Sequence, residues 1–192
     1  MIEVEIKGPV AKREYEKMKN TLMETGENIL CEKRATIVFV GEHSHSFTDI
    51  TITSGVDSKI ILRDHKAKTE TVLALASNQF SESVEFCAKL GYVKGVVSVR
   101  EYLCANYGGA YFSLVVPLES DSFYYEAVIV VNDPVSAKEA MKKLEALARK
   151  FKLPIWGKME MMAFFEKLNK QSNYMYDYHI DGANHFKDKF GI

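Results

Sequence analysis

The sequence predicts an α+β domain built on one antiparallel sheet, closed or strongly curved. Three observations lead there. Eight runs rich in β-branched and aromatic residues follow one another, separated by Gly, Ser and Asp turn signals. Helical spacing appears only early, midway and late in the chain. So few helices cannot cover so much sheet, and closure is the way a sheet loses its exposed edges.

The elements follow in order. "IEVEIKG" alternates over residues 2–8 and reads as a strand. Ala11, Tyr15, Met18 and Leu22 then recur at helical spacing, with Gly26 as the stop. "LCEKRATIVFVG", "FTDITIT", "SKIILRDH" and "TETVLALA" are strands by their β-branched content. "SESVEFCAKLG" reads as a short helix capped at Gly91. "YVKGVVSVREYL", "AYFSLVVP" and "SFYYEAVIVVND" are three more strands, the first two joined through "NYGG". After Pro134, the residues Ala137, Met141, Leu144, Ala148 and Phe151 mark a long helix. "KMEMMAFFEKLN" is a second one. The last stretch, "QSNYMYDYHIDGANHFKDKFGI", is polar and aromatic without a clear period. No repeat or low-complexity linker divides the chain. The expected organisation is one domain over 1–169 and an aromatic, polar tail over 170–192.

Composition narrows the function. At 192 residues, with 47% hydrophobic and 27% charged, the chain is an ordinary globular mixture long enough to bury a core. A formal net charge of −1 gives no global case for nucleic acid or an anionic membrane. Cys31, Cys87 and Cys104 are few and widely spaced, which argues for a reducing compartment rather than a disulfide framework. The first residues lack the pattern of a signal peptide, and no apolar run is long enough to span a bilayer. A cytoplasmic protein is expected.

The opening strand carries the chemistry. Glu3, Glu5 and Lys7 share one side of it, and two carboxylates at i and i+2 can share a hard cation. A lysine two residues further supplies a point charge for a phosphate beside that cation. The plain alternative is a solvated strand face.

This N-terminal E-x-E-x-K resembles the signature of the CYTH family, the triphosphate tunnel metalloenzymes. The resemblance implies a closed, antiparallel β-tunnel (a CYTH-like barrel) with helices outside, acidic residues holding a divalent metal, and basic side chains binding a triphosphate. The order of elements agrees over roughly residues 1–168. "IILRDH" resembles the family's L-R-x-R and carries over Arg63, with His65 at the second basic position. "KLGYVKGVVSVREYL" resembles L-G-F followed by K-x-R-x-x-Y and carries over Arg100, with Ser98 at the lysine position and Tyr102 one residue short of the tyrosine's place. "FYYEAVIVV" resembles F-x-E-x-E and carries over Glu126, with Val128 at the second carboxylate. Ala76 and Val115 stand where the family has a lysine and an aspartate.

On this resemblance Glu3, Glu5 and Glu126 would hold Mg or Mn. Lys7, Arg63 and Arg100 would be the catalytic phosphate clamp, with His65 as a further phosphate contact. The implied activity is divalent-metal-dependent hydrolysis of an inorganic, thiamine or nucleotide triphosphate, or adenylyl cyclase chemistry. The replaced positions remove two cations and two anions together, which suits a relaxed lumen. The alternative is therefore a degenerate module that binds a phosphorylated small molecule or a metal without turnover. A third reading is a scaffold that self-associates through its aromatic tail, and a homodimer is compatible with any of these.

Other candidates are weaker. His43 and His45 form an i, i+2 pair that could bind zinc or copper but has no third ligand nearby in sequence. Tyr174, Tyr176, Tyr178 and His179 form a stripe that suits a lid, a base-stacking platform or, more simply, a terminal strand packed on the body. Lys66 and Lys68 read as solvated turn residues.

Overall fold

A computed structural model describes residues 1–41, 49–64 and 67–192. The expectations for His43, His45, His65 and Lys66 lie outside these residues. The described residues form an α+β structure with strands β1 (Ile2–Val10), β2 (Glu27–Val40), β3 (Asp49–Thr53), β4 (Lys59–Asp64), β5 (Thr69–Ala74), β6 (Lys94–Tyr107), β7 (Ala110–Pro117), β8 (Phe123–Val131) and β9 (Tyr174–Asp177). The helices are α1 (Lys12–Thr25), α2 (Phe80–Lys89), α3 (Pro134–Lys150), α4 (Lys158–Gln171), α5 (Tyr178–Asp181) and α6 (His185–Phe190). The strands belong to one sheet in the order β1-β8-β7-β6-β2-β3-β4-β5, with β9 beside β6. Among the described residues the hydrogen-bonded path runs from β1 to β5 and does not close on itself.

The chain gathers into two compact units. The first holds Met1–Glu32 and Glu101–Gln171, the second Lys33–Arg100 and Ser172–Ile192. In the first unit, strand alternation sends Val4, Ile6 and Val10 of β1 inward beside Phe112, Leu114 and Tyr125 of β7 and β8. Met18 and Leu22 of α1 and Ala140, Leu144 and Ala148 of α3 complete this core. Each fully buried side chain of Leu size stabilises the fold by about 1.5–3 kcal/mol. The expected Met141 is on the exposed side of α3, and Ala140 takes the inward place. Asp133 starts α3 by accepting from the N–H groups of Val135 and Ser136, with Pro134 in the first turn. Gly108 and Gly109 both have positive φ (57° and 73°), which suits the two-residue turn that joins β6 to β7.

In the second unit Ile50 and Ile52 of β3 and Ile37 and Phe39 of β2 are buried, as are Phe80, Val84 and Cys87 of α2. The tail is built into this unit. β9 pairs antiparallel with β6, Gly95 opposite Tyr176. Tyr176 is buried against Phe39 and Phe186, at ring separations of 6.1 and 5.2 Å. The aromatic stripe is thus a terminal strand packed on the body, and Tyr178 begins a helix instead of continuing it. Among the described residues no helix is long and apolar enough to cross a membrane.

Candidate functional site

Strand β1 buries Val4 and Ile6 and turns Glu3, Glu5 and Lys7 to the opposite face. Antiparallel pairing places Lys7 opposite Glu126 of β8, and Glu126 opposite Ser113 of β7. Lys7 Nζ lies 3.1 Å from Glu126 Oε1 and 3.1 Å from Glu5 Oε1. Ser113 Oγ in turn lies 3.3 Å from Cys104 Sγ of β6. One row across four strands therefore carries an ammonium, a carboxylate, a hydroxyl and a thiol. The Lys7 and Glu126 side chains are 23% and 22% exposed, so this ion pair is only partly screened by solvent.

Burial by itself lowers the Lys7 pKa, but Glu126 and Glu5 outweigh it and hold the ammonium above its usual value. Burial raises the Glu5 carboxyl, and its share of Lys7 does not cancel that effect. Glu126 and Glu3 add smaller repulsions in the same direction as burial.

The next residues along the same face are apolar. Val115 lies opposite Tyr124, which lies opposite Pro9. Val115, Tyr124 and Leu168 of α4 are each fully buried, with Tyr102, Trp156, Phe164 and Phe165 packed against them. Trp156 and Phe164 approach to 4.4 Å between ring centroids. The segment leading into α4 is fixed to β1, because Trp156 N–H donates to the Lys7 carbonyl at 2.8 Å. Gly8 permits this approach: a Cβ there would run into the Pro154 carbonyl.

Arg63 belongs to the second unit. It lies opposite Asp49 of β3 and Glu70 of β5. Its Nη1 donates to Asp49 Oδ1 at 3.2 Å and to Thr51 Oγ1 at 3.0 Å, and its Nε donates to Glu70 Oε2 at 2.9 Å. Burial pulls its pKa down, yet these bonds more than compensate and hold it above the usual value. Arg100 is half-buried on β6, two residues from Tyr102 and hence on the same side of that strand.

The structure thus brings Glu5, Lys7 and Glu126 together, with Glu3 next along the strand. Among the described residues no group of three or more His, Cys, Asp or Glu side chains is placed to hold a metal ion. Glu5 and Glu126 each direct an oxygen to Lys7. Sequence reading did not find Ser113 and Cys104, or the partners of Arg63. Their common signal is direct cross-strand opposition, which requires the register.

Solved structures share this fold. A conserved hypothetical protein from Pyrococcus furiosus matches with a TM-score of 0.57 at 16% identity, over 81% of this chain and 95% of its own. A chain of the Schizosaccharomyces pombe Mediator head module matches with a TM-score of 0.57 at 14% identity, over 81% and 98%. A candidate adenylate cyclase from Vibrio parahaemolyticus matches with a TM-score of 0.54 at 13% identity, over 85% and 98%. The likeness is one of fold. No protein-family model matches the sequence, and no curated protein matches it.

Proposed function

We propose that this chain is a CYTH-type module that binds a compact phosphorylated anion at Lys7 without turning it over. The burial of Val115 carries the reading. The resemblance gives that position to a carboxylate, and here it is 0% exposed beneath an aromatic cluster. On that resemblance, a core residue stands where a metal-binding carboxylate would be. Lys7 remains a protonated, partly accessible donor, the part a phosphate oxygen requires. The fold likeness to a candidate adenylate cyclase supports a phosphorylated small molecule as the ligand class.

The rival reading is divalent-metal-dependent triphosphate hydrolysis, with Glu3, Glu5 and Glu126 on the metal and Lys7, Arg63, His65 and Arg100 on the phosphates. It draws on the meeting of Glu5 and Glu126 at one point. One experiment decides between them. Tripolyphosphate and ATP are added with Mg²⁺ or Mn²⁺, and both phosphate release and melting temperature are followed. The expected result is a ligand-dependent rise in melting temperature that Lys7→Ala removes, with no release above the protein-free blank. Phosphate release that Glu5→Gln and Glu126→Gln abolish would establish the hydrolase instead. Neither effect would leave a scaffold.

A further inference from the structure

The two ends of the sheet are treated differently. At one end, β1 is met at Lys7 and Gly8 by its own chain, through the Trp156–Lys7 backbone bond and the close approach of Pro154 to Gly8. At the other end, β5 pairs with β4 alone among the described residues. All six residues of β5 are exposed, including Val72 at 54% and Leu73 at 47%. Proteins protect edge strands with lysine, proline, bulges or a covering segment. The sequence "TETVLA" contains neither lysine nor proline, and its single charge, Glu70, is turned to Arg63.

The register defines which backbone groups are available. Leu75 N–H donates to the Ser58 carbonyl at 2.8 Å, so these two residues form a bonded pair at the end of the β4–β5 ladder. Bonded and non-bonded pairs alternate in an antiparallel ladder. Thr69, Thr71 and Leu73 therefore turn their backbone groups toward β4, and Glu70, Val72 and Ala74 turn theirs outward.

We propose that β5 pairs antiparallel with β5 of a second copy of this chain, across a two-fold axis at Val72. In that register Val72 forms a bonded pair with the second copy's Val72, and Glu70 forms one with the second copy's Ala74. Every outward backbone group gains a partner. No like charges meet, because each Glu70 faces an alanine. A strand from another protein could use the same edge, but the self-complementary placement of the three outward residues favours a second copy.

The full chain tests this by sedimentation velocity over a wide concentration series. Wild type is expected to dimerise. Val72→Pro removes one outward N–H without touching the β4 ladder, and Val72→Lys places two ammonium groups directly opposite each other. Both are expected to be monomeric with unchanged circular dichroism. In a Cys31→Ser background, oxidised Val72→Cys should cross-link, since bonded pairs hold Cα atoms roughly 5.5 Å apart, within disulfide reach. Thr71→Cys, which faces the second copy's Leu73, should not. A wild type that stays monomeric throughout overturns the proposal. So does a dimer that both Val72 variants retain, or a Thr71→Cys variant that cross-links as readily as Val72→Cys.

Discussion

Lys7 and Glu126 stand directly opposite each other on β1 and β8, and their charged ends meet at 3.1 Å. The same ammonium reaches Glu5, also at 3.1 Å. Lys7→Met leaves both without a cation and is expected to cost about 1–2 kcal/mol at neutral pH. Glu5→Gln is expected to stay within about ±0.5 kcal/mol, because Glu126 still holds Lys7. The pH dependence follows from the signs. The Lys7 contribution is full below 10.5 and fades as pH rises through its raised folded value. Glu5, also raised, favours the fold below 4.5 and loses that contribution as pH rises through its folded value. Urea denaturation of both variants across pH checks this.

A second expectation concerns alkaline stability. Tyr125 is fully buried and its hydroxyl donates to the Pro154 carbonyl at 3.1 Å. Burial pushes its phenol up to about 12 from 10.0. The neutral phenol is thus favoured in the folded state, a contribution complete below pH 10 and lost as pH rises through about 12. Tyr125→Phe should flatten the loss of melting temperature between those pH values.

Restoring the carboxylate implied by the resemblance should not restore a metal site. Val115→Asp would place a charge among Tyr124, Trp156, Phe164 and Phe165. A loss of about 3 kcal/mol or more is expected, with an acidic group that stays protonated near neutral pH. Phosphate release from tripolyphosphate with Mn²⁺ should remain at the blank level. Denaturation and turnover measured on the same preparation check both parts.

Gly8 is the point where the segment before α4 rests on β1. Gly8→Ala would drive a methyl group into the Pro154 carbonyl and against the Tyr125 ring. The expected cost is about 1–3 kcal/mol, as for other overpacked sites. The amide of Trp156, now bonded to Lys7, should exchange faster with solvent by hydrogen–deuterium exchange.

Several features could be read directly. The strand runs, the helix stop at Gly26 and the inward places of Met18 and Leu22 follow from local periodicity and hold in the structure. Glu3, Glu5 and Lys7 do share one face, because alternation within a strand depends on nothing outside it. The partner of the tail was not legible. β9 is four residues long and pairs with β6, about eighty positions earlier in the chain, and no local period can encode that partner. Nor could the sequence rank Met141 below Ala140, because a helix face is set by what it rests on.

What the sequence by itself determined was the alphabet of the site: two carboxylates and an ammonium at alternate places on a β-prone run. The tertiary structure decided their relations. Glu126 comes from 119 positions away to share Lys7, and α4 brings Leu168, Phe164 and Phe165 onto the same face to bury Val115. Alternation along a strand is fixed by backbone stereochemistry and can be read residue by residue. Which charge meets which, and which position is sealed from water, depends on register and packing between distant segments, and these exist only once the chain has folded.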